Sequence, residues 1–104
     1  MDKVIVQLRM DSTSDVDRLF LIEESLFQAF SQCRDGYVDG HDIGEGKFNI
    51  FIHVRGPWSA VLARIKAFLK LHGALGEAVI AKFYGKSERY QVVHPPAHVG
   101  RFAL

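Results

Sequence analysis

Five short β-type segments are interleaved with only two amphipathic helical stretches, and this imbalance constrains the fold more than any other feature of the chain. Val4-Ile5-Val6-Gln7-Leu8 is apolar and β-branched, which predicts a first strand. Asp11 to Asp15 follows with capping residues, Ser14 being the expected N-cap. Val16, Leu19, Phe20, Leu26, Phe27, Phe30 and Cys33 then give a helical stripe, which Arg34-Asp35-Gly36 stops. Tyr37–His41 and Phe48–Val54 predict two antiparallel strands joined by an Asp42–Gly46 loop. Pro57 opens a second helix with Trp58, Val61, Leu62, Ile65, Phe68 and Leu69 on one face. Ala78–Tyr84 and Arg89–His94 predict a final hairpin, ended by Pro95-Pro96. The expected fold is an α+β, ferredoxin-like βαββαβ sandwich with an extra C-terminal hairpin strand. It forms a single domain over residues 1–104, with 95–104 as a tail.

Two helices cover only one face of a sheet, so the second face has to be accounted for. Val4, Val6, Leu8, Phe48, Ile50, Ile52 and Val54 are expected beneath the helices. The other face then holds Ile5, Gln7 and Arg9 with Asn49, Phe51, His53 and Arg55. Tyr37, Asp39 and His41 join them from the second strand. Ile80, Lys82 and Tyr84 join from the fourth, if Val79, Ala81 and Phe83 turn inward. Such a mixed aliphatic and aromatic face differs from a solvated sheet surface. It predicts an interface built on Ile5, Phe51, His53 and Tyr84, most simply with a second copy of the chain. The competing expectation is that the tail folds back, with Phe102 and Leu104 as the cover.

Asp39 to Gly46 concentrates three carboxylates, a histidine and three glycines in eight residues. Alternation along a strand would put Asp39 and His41 on one face, where His could act as a base and Asp as its orienting partner. With Asp42 and Asn49 they form the candidate binding cluster. The competing reading is a hairpin with solvated charges and glycines that its turn requires. No catalytic residues, cofactor or metal site are assigned. The carboxylates do not follow calcium-loop spacing, and Pro95-Pro96 opposes a helical His94–His98 pair. Gly44-Glu45-Gly46-Lys47 precedes a strand, whereas a phosphate loop precedes a helix. Formal charge is only +1, and Phe48 and Phe51 point to opposite faces, so nucleic acid is disfavoured as a partner.

The Val38–Gly46 segment followed by Asn49-Ile50-Phe51-Ile52 resembles a pattern in small bacterial α+β proteins of no assigned function. The resemblance implies the ferredoxin-like fold and no particular reaction or ligand. One cysteine, no secretory-type leader and no apolar run of bilayer length lead to an expected cytoplasmic location without membrane contact. The functional expectation is a non-enzymatic interaction or regulatory module, homodimeric through its open face or an edge. The alternative is a small-ligand regulator or enzyme built on Asp39, His41, Asp42 and Asn49.

Overall fold

The computed structural model describes residues 2–98 and 100–104; Met1, and Val99 within the expected tail, lie outside the described residues. Strands β1 (Lys3–Arg9), β2 (Gly36–Gly44), β3 (Lys47–Val54), β4 (Val79–Tyr84) and β5 (Arg89–His94) form one antiparallel sheet in the order β2-β3-β1-β4-β5. Helices α1 (Val16–Ser31) and α2 (Trp58–Leu71) complete an α+β fold. Neither helix is long and apolar enough to cross a membrane.

The core lies between the helices and one sheet face. Val4, Val6 and Leu8 of β1 meet Phe48, Ile50 and Ile52 of β3, as strand alternation requires. Val61, Ile65 and Leu69 supply the α2 stripe at i, i+4 and i+8. The α1 stripe is rotated from the expected one. Leu19, Ile22, Leu26, Ala29 and Phe30 are buried, whereas Phe20 and Phe27 remain exposed. Ile22 and Ala29 complete the helical period through Leu19 and Leu26, which the bulkier phenylalanines obscure in the sequence. Cys33 is partly buried against the core.

Entry to α1 also differs from expectation. Thr13–Asp15 forms a short 3-10 turn, and the Asp15 carboxylate accepts the backbone N–H groups of Asp11 and Ser12 at 2.9 and 3.2 Å. Ser12 caps that turn and Asp15 takes the N-cap position of α1, where Ser14 was expected. The exit of α2 follows the sequence, with Gly73 at φ 67. The β2–β3 hairpin is tighter than expected, because β2 continues through Asp42 and Ile43 to Gly44. Glu45 at φ 52 and Gly46 at φ 75 alone make the turn, the type I′ combination that matches strand twist.

Two register features reassign side chains. Between Val38 and Gly40 the β2–β3 ladder shifts by one, leaving Asp39 as an unpaired extra residue beside Gly40 at φ 154. Beyond this bulge His41 lies opposite Ile50 on the helix side, so it does not share the open face with Asp39. On the other flank Val6 pairs with Ile80 and Val4 with Lys82, which puts Ile80 and Lys82 on the helix side. Tyr84 follows them. Its ring lies 5.7 Å from that of Trp58 and its hydroxyl donates to Gln91 Oε1 at 2.9 Å. The expected open-face role of Tyr84 is thus corrected: the β1–β4 register gives that face Ala81 and Phe83 instead.

Backbone approach is closest at Gly36, opposite Val54 at the start of β2. A Cβ added there would collide with the carbonyl oxygen of His53, a sheet atom that cannot yield independently. Gly36→Ala is expected to lower unfolding stability by about 2 kcal/mol, the usual scale of an overpacked site, as read by urea denaturation.

Candidate functional site

The open face is covered by the chain itself along part of its length. Ile5 is only 1% exposed although it points away from the helices. Phe51 and Ala81 lie opposite it on the two neighbouring strands, and the Lys3 ammonium stands 5.9 and 5.8 Å from the Phe51 and Phe83 rings. The Phe83 ring meets Tyr90 at 5.0 Å, and Tyr90 meets Phe102 at 5.3 Å. Phe102 therefore packs back on the sheet, as the tail-cover expectation had it for that residue, while Leu104 stays exposed. Phe51 and His53 remain partly exposed on this face.

The four residues of the expected binding cluster separate into three settings. Asp42 and Asn49 pair across the hairpin, where Asn49 Nδ2 donates to Asp42 Oδ1 at 2.9 Å. Asn49 is 1% exposed, and its Oδ1 accepts from Gln7 Nε2 at 3.0 Å. A buried amide is tolerated when its donors and acceptors are matched in this way. Gln7 Nε2 also donates to the Ala103 carbonyl at 2.7 Å, and Lys47 Nζ donates to that same oxygen at 3.0 Å. Sequence reasoning placed Gln7 on this face without assigning it a role. Its match to Asn49 depends on the β1–β3 register, where the two residues are opposite.

His41 belongs to a different constellation. Its Nδ1 lies 2.9 and 2.8 Å from the two carboxylate oxygens of Glu23 on α1. Its ring stacks on Phe48 at 4.7 Å and meets Phe20 at 5.2 Å. A carboxylate on Nδ1 fixes ring orientation and favours the Nδ1–H form when the imidazole is neutral. Glu23 carried no signal in the sequence, because the bulge that turns His41 toward α1 is a product of strand pairing.

Asp39 forms the third setting. Its Oδ2 lies 3.2 Å from His53 Nε2, and the His53 ring stacks on Tyr37 at 4.7 Å with an interplanar angle of 1°. Arg55 caps the stack, with its guanidinium carbon 4.6 Å from the Tyr37 ring centre. The hairpin thus carries two histidine–carboxylate pairs, His41–Glu23 on the helix side and His53–Asp39 on the open side. Among the described residues, no group of three or more His, Cys, Asp or Glu side chains could hold a metal ion.

The hollows beside these groups are shallow. One of about 270 Å3 is lined by Asp42, Ile43, Gly44, Glu45, Asn49 and Leu104. Another of about 270 Å3 lies between Glu23, Glu24, Phe27, Asp39 and His41. Both are small beside the roughly 300–1,000 Å3 of ordinary small-molecule pockets. No protein-family model, curated protein or solved structure matches this chain.

Asn49→Ala would remove, at a buried position, the acceptor for Gln7 Nε2 and the donor to Asp42. A loss of about 2 kcal/mol is expected, the scale of a buried hydrogen-bond partner removed. Urea denaturation checks this, with Asp42→Ala expected to cost less because Asp42 itself is exposed.

Proposed function

We propose that this chain is a non-enzymatic protein-interaction module of ferredoxin-like architecture that forms a homodimer along the β2 edge. The ferredoxin-like reading is supported by the β-α-β-β-α-β element order and by the β2-β3-β1-β4 portion of the sheet, with β5 appended outside it. It also agrees with the resemblance to small bacterial α+β proteins, and a cytoplasmic setting belongs to the same reading.

The observation that carries the proposal is an exposed apolar strip beside an unpaired strand edge. Phe20, Phe27 and Ile43 remain 41%, 49% and 44% exposed. Phe20 touches Phe48 and His41, and Ile43 pairs with Phe48, so the strip runs along the α1 side of β2. Among the described residues no strand pairs with the outer edge of β2. Open edges recruit further strands. The bulge at Asp39 bends the first half of β2, leaving His41–Gly44 as the regular pairing stretch. A two-fold pairing there brings the apolar strips of two copies to the same side of a joined sheet.

This placement moves the interface from the open-face set to the edge. Ile5 is covered and Tyr84 faces α2, while Phe51 and His53 stay partly exposed beside the tail. A small-ligand function is the second reading, favoured by the oriented His41–Glu23 pair. The bulge splits its four expected residues between two faces, and the adjoining hollow is small, so it ranks behind association.

Light scattering on the purified chain at micromolar concentration is expected to give a dimer mass. Phe27→Asp, which puts a carboxylate into the exposed apolar strip of each copy, is expected to shift the population to monomer with an unchanged circular dichroism spectrum. A monomer for the unaltered chain across that range rejects the homodimer.

A further inference from the structure

The open face carries a polar device whose two outward donors, Gln7 and Lys47, lie off the β2 edge. An amide nitrogen has two hydrogens to donate. Gln7 Nε2 spends one on Asn49 Oδ1 and aims the other at the Ala103 carbonyl. Asn49 is buried and tied in turn to Asp42, so the Gln7 amide is oriented from below by its own sheet. Lys47 reaches the same carbonyl from β3. Two donors on adjacent strands thus converge on one main-chain oxygen. Beside them the Phe83 and Tyr90 rings form an aromatic platform that receives Phe102. On the far side Leu104 lines the hollow between Asp42, Asn49 and the hairpin turn.

We propose that this groove is a docking site for an extended peptide of a partner protein, and that residues 102–104 occupy it as an autoinhibitory stand-in. The chemistry of the occupant is read from the tail: an aromatic residue, then a residue that offers its carbonyl, then an aliphatic one. Both hydrogen bonds fall on the Ala103 main chain, so the central position tolerates any side chain, and the ring on Tyr90 supplies selectivity. The stand-in is lightly held. Ala103 and Leu104 are exposed, Phe102 is half-buried, and both hydrogen bonds are exposed to water. Segments with few buried contacts open at low cost, so a competing peptide gains access without unfolding the sheet.

The test uses the full chain and an acetylated, amidated, fluorescent peptide with the sequence of residues 100–104. Tethering gives the internal tail an effective concentration of about millimolar, so it suppresses binding from outside. Phe102→Ala in the protein weakens the stand-in and is expected to tighten peptide binding about tenfold by anisotropy. Adding Gln7→Ala is expected to abolish that binding. Gln7→Glu is expected to do the same while keeping the side-chain shape, because a carboxylate repels the peptide carbonyl. A peptide with its Phe replaced by Ala is expected not to bind. Absence of saturable binding to the Phe102→Ala protein overturns the proposal, as does binding that survives both Gln7 substitutions. Peptide uptake that rises and falls with dimer content in light scattering assigns the groove to a second copy and overturns the partner-peptide reading.

Discussion

The pairing register of β1 with its two neighbours is the constraint on which the rest of the structure depends. β1 lies in the middle of the sheet, with β3 on one side and β4 on the other. Val4, Val6 and Leu8 are fully buried beneath the helices, and Ile5 is buried on the opposite face. Side-chain direction alternates with a period of two, so a slip of one residue would turn three core groups outward at once. Each fully buried aliphatic side chain contributes roughly 1.5–3 kcal/mol, which makes such a slip prohibitive. With β1 fixed, Ile80 must face the helix side and Ala81 must face away. Gln7 is likewise brought opposite Asn49.

The bulge at Asp39 breaks this alternation within β2. One extra residue in β2 lets Tyr37 face His53 on the open side while His41 faces Ile50 on the helix side. As a result the hairpin presents a histidine–carboxylate pair to each face rather than one combined cluster. The His41–Glu23 pair links β2 to α1 beside the exposed phenylalanines. The His53–Asp39 pair joins a stack with Tyr37 and Arg55. A bulge also bends an edge strand, so the same feature limits how much of β2 is straight enough to pair with another chain.

Polar and apolar cover on the open face are combined in a small space. A buried amide at position 49 would be costly alone, yet Gln7 and Asp42 satisfy it from the flanking strands. That chain of side chains ends in donors directed at the main chain of residue 103. The association proposed for β2 and the docking proposed for the groove meet at Asp42–Gly44, which line the hollow beside Leu104. The first depends on apolar groups that the helices leave outside, the second on a polar track that the sheet itself orients.

The amino-acid order by itself determined the succession of strands and helices, the apolar face of β3 and the stop at Gly73. Those features follow from local periodicity and backbone chemistry, which are written into neighbouring residues. It also indicated Asp42 and Asn49, because a hairpin brings residues seven apart into contact. It misled at Asp39 and His41, since nothing local marks one residue of a strand as extra. It misled again at Tyr84, whose face depends on which residue of β4 meets Val6. The partnerships of His41 with Glu23 and of Gln7 with Asn49 were decided only by the tertiary structure. They join residues 18 and 42 positions apart, and such distances are closed by sheet register and helix packing rather than by any local preference.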